Sequence, residues 1–335
     1  MVEVALVLAI ATALAFDLTN GFHDSANSIA ALVATGAARP GHALILAAAG
    51  NFVGPLLIGT AVADTVGGVV ELPAGATVSA VGAALTAAIA WNLLTWWFGL
   101  PSSSSHALVG GLVGACLVAA GTDGVRWGGF TDGRPTGVVG ILAGLALSPV
   151  LGALACALLG AFAWRLMRRA RRRALTPVRG AEWGTAAMLA FSHGGNDAQK
   201  TMGVITLLLV ASGHLTEFTV PLWVKLAAAT SLTVGTAFGG WRIVRTVGRG
   251  VFRMTPLDGL VSQSGAAGVI LGASLVGAPV STTHVVAAGV VGVGAQHRTR
   301  HVHWRVVKEM GLAWVVTLPV TALLGAALFP VWEVI

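Results

Sequence analysis

Charge is what this sequence has least of: 10% of its 335 residues are charged, against 56% hydrophobic. That scarcity excludes an ordinary soluble domain with a polar surface. Cysteine is nearly absent too. Cys116 and Cys156 lie inside apolar runs and form no motif with His or with each other, so they read as small packing residues. The first apolar run opens with Glu3, carries no Lys or Arg, and passes beyond residue 15 into polar residues rather than a small-residue cleavage site. A cleaved signal peptide is therefore not expected.

What the chain does have is long runs with almost no charge, near 42–63, 78–99, 103–121, 136–165, 219–240, 258–276, 280–296 and 308–330. A spanning helix needs about 20 apolar residues, so most of these qualify, and the fold class expected is an all-α polytopic membrane protein. The net charge of +7 is unevenly spread. One basic block holds Arg165, Arg168, Arg169, Arg171, Arg172, Arg173 and Arg179; a second holds Arg242, Arg245, Arg249 and Arg253; a third holds Arg298, Arg300, Arg305 and Lys308. With these loops in the cytoplasm, the turn at Arg39 falls inside as well, and only Arg126, Arg134, Lys200 and Lys225 lie elsewhere. The opposite loops carry Asp64, Glu71, Asp123, Asp132 and Glu217. The charge is thus a topology signal, with membrane lipid and no nucleic acid as partner, and it puts both termini outside. Many Trp near segment ends, Trp127, Trp164, Trp183, Trp223, Trp241, Trp304 and Trp332 among them, suit an interfacial belt.

Two pieces of sequence recur in the same order. Asn20-Gly-Phe-His-Asp-Ser-Ala-Asn27 returns as His193-Gly-Gly-Asn-Asp-Ala-Gln-Lys200, pairing Asp24 with Asp197 and Asn27 with Lys200. Pro101-Ser-Ser-Ser-Ser-His106 returns as Pro279-Val-Ser-Thr-Thr-His284, at nearly the same separation. About five crossings per half, an odd number, would invert the second half relative to the first. The expected organisation is a first repeat over 1–164, a basic cytoplasmic linker over 165–180 and an inverted second repeat over 181–335. Discontinuous helices would meet at the midplane, which is a transporter architecture. The pair 78–99 and 103–121, with its counterpart 258–276 and 280–296, reads either as two full crossings or as one re-entrant hairpin, leaving three crossings per half; a run of four Ser would suit a hairpin tip.

A carboxylate inside a spanning segment costs about 2.5 to 3.5 kcal/mol, and two in repeat-related motifs point to function. Asp24 and Asp197 are the candidate cation-coupling or metal-holding residues, with Asn20 and Asn196 beside them. Gly21, Gly194 and Gly195 mark places where the helices could break. The Ser and Thr turns supply hydroxyls at the starts of apolar helices, where an anion is favoured, although capping alone would also use one hydroxyl each. His106 and His284 follow in register and are assigned a supporting role. Asp24, Asp197 and Lys200 sum to −1, so a divalent oxyanion would bring the site to about −3 unless a cation enters with it. Asp17, whose repeat counterpart is Ala190, reads equally as a proton site or as an interfacial residue. Asn51, Asn92 and Gln263 read as helix–helix hydrogen bonds.

These duplicated motifs resemble the signatures of the PiT inorganic phosphate transporter family over essentially the whole chain. The resemblance implies a phosphate symporter of the bacterial inner (plasma) membrane, not an enzyme and without a cofactor, in which a homo-oligomer is admissible. It implies that Ser103, Ser104, Ser281, Thr282 and Thr283 bind phosphate oxygens, with Asn27 and Lys200 alongside, and that Asp24, Asn27 and Asp197 hold the cation. Gln199-Lys200 replaces the second Asn of sodium-coupled members and resembles the bacterial low-affinity branch. It implies coupling to H+ rather than Na+ and phosphate carried as a divalent-metal complex. Two other readings stand beside it: a sulfate or related oxyanion permease, and an intramembrane metal hydrolase using His23, Asp24, His193 and Asp197. Against the hydrolase, His23 aligns with Asn196 and His193 with Asn20, and no G-x-S-x-G motif occurs.

Overall fold

The computed structural model describes residues 2–131, 134–169, 175–297 and 299–335. Asp132, Arg171, Arg172, Arg173 and Arg298 of the charged loops lie outside the described residues. The chain is helical, apart from a two-stranded hairpin at 130–131 and 134–135. Its helices are α1 (Val2–Ala34), α2 (Pro40–Leu57), α3 (Ala61–Gly67), α4 (Ala74–Phe98), α5 (Ser104–Ala120), α6 (Gly137–Met167), α7 (Leu175–Ala211), α8 (Leu222–Phe238), α9 (Trp241–Arg245), α10 (Pro256–Leu275), α11 (Thr282–His297) and α12 (Trp304–Glu333). Six described helices are long and apolar enough to cross a membrane. Their outward faces carry large apolar residues such as Leu158, Phe162, Val315 and Leu323, as a lipid-facing surface requires. The protein is an integral membrane protein.

Helix contacts repeat under exchange of the two halves: α1 packs on α8 and α7 on α2, while α5 packs on α12 and α11 on α6. The central pair, α1 and α7, is antiparallel. Asp17 meets Thr201, Asn20 meets Asp197 and Thr35 meets Glu182, so one chain number rises as the other falls.

The motif helices are continuous, contrary to the expectation that Gly21, Gly194 and Gly195 would break them. These glycines serve close approach instead. A Cβ on Gly21 would lie 2.2 Å from the Leu232 carbonyl oxygen, and one on Gly194 would lie 2.5 Å from the Asn51 Cα. With little hydrophobic drive between helices in lipid, such small residues let backbones pack tightly. Cys156 works the same way, wedged against Gly265 and Gly289.

The chain breaks elsewhere, at the α2–α3 and α8–α9 junctions and at the tips of two hairpins. In the first hairpin, α4 starts beside the start of α1, since Ala5, Gly75 and Ala76 line one cavity, and ends where Phe22 meets Trp96 edge to face. From Asp24, α1 runs on to Ala34, about 15 Å at roughly 1.5 Å per residue. α5 then returns, and Glu71 N–H donates to the Gly124 carbonyl to close the base. The first tip thus stops short of the far end of α1, as a re-entrant hairpin would. The α10–α11 hairpin enters from the other end, from Gly259 beside Glu182 to Ser274 beside Asn196, where α7 still has 15 residues to go, or about 22 Å. Gly99 (φ 68°) and Gly277 (φ 72°) turn the two tips. At each, an N–H to C=O bond from Leu100 to Thr95, or from Ala278 to Ala273, completes a left-handed helix stop that only glycine adopts readily.

The described basic loops gather at one end: Ala34, Arg249, Arg253 and His303 line one cavity, and Trp164, Arg253, Asp258 and His301 line its neighbour. Both termini lie at the other end, where Ala5 and Glu333 share a cavity and Glu3 faces His214. Arg242, counted with the second basic loop, sits instead beside the first hairpin tip, its guanidinium 4.5 Å from the Trp97 ring centre and donating to the Trp97 carbonyl.

Candidate functional site

α1 and α7 each carry their motif where the hairpin tips arrive, and the helical repeat puts Asn20, Asp24 and Asn27 of α1 on the face that meets α7 and the second tip. Asp24, Asp197, Asn20, Asn27, Lys200, Thr282 and Thr283 are all buried there. The two acids are held differently. Asp197 is ion-paired to Lys200, with Nζ 2.5 Å from Oδ1. His193 Nε2 lies 3.1 Å from its Oδ2, Asn20 Nδ2 donates to Oδ2 at 3.4 Å, and Thr282 Oγ1 donates at 3.2 Å. Asp24 has no ammonium partner among the described residues. His23 Nδ1 is 2.5 Å from its Oδ1, and Thr283 Oγ1 donates to its Oδ2 at 3.1 Å while accepting from Asn27 Nδ2 at 3.0 Å. Both acids therefore draw their hydroxyls from the second hairpin tip.

The first tip behaves otherwise. Ser102 bonds Thr95 at 2.7 Å and lies 3.3 Å from His23 Nε2. Ser103 caps α5, accepting from the His106 N–H at 3.2 Å and sitting 2.8 Å from His106 Nδ1. Ser104 is buried at the first turn of α5. Ser281 has the capping role in α11, accepting from the His284 N–H at 3.2 Å. The two tips meet through the His106 and His284 rings, 4.7 Å apart, with His284 stacked on Trp314 at 4.1 Å. Asn196, expected beside the acids, donates to Ser274 Oγ at 2.9 Å on α10.

At the two chain breaks a backbone N–H turns toward a motif: Gly240 N–H donates to Ser25 Oγ at 2.6 Å, and Val62 N–H to Gln199 Oε1 at 2.8 Å. The exposed amides at a broken crossing are thus matched by residues inside the motifs. The side chains at the centre are nearly inaccessible, and the cavities described above lie at the ends of the molecule. The arrangement is a buried polar cluster in an apolar body.

Comparison with known proteins gives one family model, described as the phosphate transporter family, matching this chain twice, over residues 20–180 and 167–325. The chain belongs to that family. The double match falls on the two halves that carry the repeated motifs. A probable low-affinity inorganic phosphate transporter of Bacillus subtilis is 42% identical over 96% of this chain and 95% of its own length. One of the same description from Rhizobium meliloti is 42% identical over 96% and 94%. A solved sodium-dependent phosphate transporter, 24% identical, superposes with a TM-score of 0.87 over 99% of this chain and 100% of that one, and shows the same fold. The family consists of transporters, so the hydrolase reading is set aside.

His23 and His193 are the residues that site assignment from sequence passed over. Each stands beside or one turn from an acid, which was the available signal, but their lack of register between the halves argued against them. Asp24, His193 and Asp197 each offer a ligand atom, all within 4.8 Å of one another.

Proposed function

We propose that this chain is an inorganic phosphate symporter of the plasma membrane, the inner membrane of a bacterium, coupled to H+ and carrying phosphate as a complex with a divalent metal ion. In this reading residues 1–164 and 181–335 are inverted repeats, the basic linker 165–180 and the other basic loops face the cytoplasm, and both termini face outside. Asp24 and Asp197 would take the metal cation carried with phosphate, and Ser103, Ser104, Ser281, Thr282 and Thr283, with Asn27, would turn to phosphate oxygens as the tips move.

The observation that carries the choice of coupling ion is the Lys200–Asp197 pair. Lys200 occupies the repeat position of Asn27, and its ammonium already sits on the acid that a second monovalent metal would need. A symmetric pair of Na+ sites has lost one member, whereas protons need no coordination shell. Charge supports the rest. The two acids and Lys200 sum to −1, and a divalent phosphate would make about −3 in a low-dielectric site, so phosphate entering as a neutral metal complex avoids most of that cost. The Asp24–His193–Asp197 grouping offers oxygen and nitrogen ligands to the metal as cargo.

Uptake of radiolabelled phosphate into proteoliposomes tests this. The expected result is accumulation on an acid-outside gradient without Na+, stimulated by Mg2+ and not competed by equimolar sulfate. Uptake that requires a Na+ gradient and ignores an imposed proton gradient overturns it. Asp24 as acceptor favours phosphate over sulfate, because protonated phosphate can donate a hydrogen bond.

A further inference from the structure

Among the buried acids used by none of this, Asp17 alone lies on the α1–α7 seam next to the paired motifs. Asp17 is 0% exposed and sits on the same face of α1 as Asn20 and Asp24, one and two turns before them. Its Oδ1 accepts a 2.7 Å hydrogen bond from Thr201 Oγ1 of α7, and its Oδ2 is buried without a partner. Because α1 and α7 are antiparallel, three cross-pairs stack along their seam: Asp17 with Thr201, Asn20 with Asp197, and Asp24 beside His193. The ladder from Asp17 to Asp24 is about 10 Å long. Beyond Asp17, toward the end that holds the termini, Ala13, Ala9 and Leu6 of α1 join Ile205 and Leu208 of α7 in one apolar cluster. Asp17 is thus the last acid of the ladder before an apolar seal.

The charged groups that face Asp17 are Asp197 and Lys200 of α7, and Lys200 is already paired with Asp197. α4 carries no charged residue. Lys225, the single charge on α8, lies six residues before Ser231, whose hydroxyl bonds the Leu14 carbonyl, and so stands nearer the outer end. The titratable groups of the other elements that pack on α1 lie at hairpin-tip level or toward the basic end: His42 of α2, Arg242 and Arg245 of α9, Arg249 of the turn 246–250, Asp258 of α10 and His284 of α11.

We propose that Asp17 is the group that carries the coupling proton. A proton from the outer water bonds to Oδ2 when the seal is open, stays there while the site is closed to both sides, and leaves to the inner water once phosphate has gone. One O–H bond forms and the same bond breaks, with no electron transfer. Thr201 holds Oδ1 throughout, so the carboxyl keeps its orientation in both protonation states. The inference rests on the proton-coupled reading above and names the residue on which that coupling acts.

The test uses full-length protein in liposomes with radiolabelled phosphate. Accumulation on an acid-outside gradient is compared with phosphate counterflow at equal pH, for wild type, Asp17→Asn and Asp17→Glu. For Asp17→Asn the expected result is a loss of accumulation of about tenfold or more with counterflow kept within about threefold. Asp17→Glu should recover accumulation, with the pH of half-maximal uptake displaced. Unchanged accumulation in Asp17→Asn overturns the proposal. So does a parallel loss of accumulation and counterflow in both variants while each stays monodisperse, because that pattern marks a packing residue. If Asp17→Asn does not fold, the Asp17→Glu pH profile decides: an undisplaced profile overturns the proposal. Wild type that accumulates phosphate on Na+ alone removes the proton-coupled reading itself, a failure seen without any mutation.

Discussion

Removing either partner of the Lys200–Asp197 pair should damage the protein unequally. Breaking a buried ion pair by deleting one side costs about 3 to 5 kcal/mol, because the other charge is left buried. The structure places the two deletions within that range. After Lys200→Met, Asp197 keeps Asn20 and Thr282 as donors, with His193 Nε2 at 3.1 Å, so the low end of about 3 kcal/mol applies. After Asp197→Asn, Lys200 loses its single acceptor among the described residues, and about 5 kcal/mol applies. At roughly 2 °C per kcal/mol for a chain of this size, the thermal midpoints should fall by about 6 °C and about 10 °C. The double variant Lys200→Met/Asp197→Asn buries no charge at this pair and should melt above both singles, a coupling that a double-mutant cycle isolates. The assay is thermal melting of purified protein in detergent, followed by size-exclusion fluorescence. A double variant that melts below both singles, or a Lys200→Met protein less stable than Asp197→Asn, refutes the reasoning.

Thr283→Val should lower kcat/KM for phosphate uptake by about 30-fold, since a hydrogen bond to a charged group is worth about 2 kcal/mol and Asn27 loses its partner as well. Thr282→Val should cost clearly less because Asp197 keeps Lys200, and equal effects in uptake assays would contradict this. Gly277→Ala should destabilise the second hairpin tip by about 1 to 2 kcal/mol through its positive φ, with a Cβ only 3.0 Å from the Ala61 carbonyl oxygen, whereas Gly75→Ala, which meets nothing within 4 Å, should be neutral in the same melting assay. Single cysteines at exposed Thr122 and His214 should react with a membrane-impermeant maleimide from one side and one at His303 from the other, over a low background because Cys116 and Cys156 are buried. Labelling of positions 122 and 303 from the same side would break the topology.

The repeat was legible because motif spacing survives as sequence, and the gathering of basic loops at one end was legible because few charges are tolerated elsewhere. The helix stops at Gly99 and Gly277 were not read from the sequence, because their positive φ shows only in the folded backbone. Helix continuity through Gly21 and Gly194 was not legible, because a glycine that breaks a helix and one that admits a neighbouring backbone look the same in a single strand of sequence. The partner of each hydroxyl was equally hidden. Four Ser in a row at the first tip looked richer than Ser-Thr-Thr at the second, yet Thr282 and Thr283 are the ones that reach the acids, because partner choice depends on how the hairpins pack and not on how many hydroxyls a turn contains.

That choice has a mechanical meaning. Asp24 belongs to the first half and Asp197 to the second, but residues 282 and 283 of one short turn hold both. A small withdrawal of the α10–α11 tip would take the hydroxyl donors from the two acids together, whereas the same movement of the α4–α5 tip would leave both hydroxyl contacts in place. The two halves share a pattern, but the latch is on one side only.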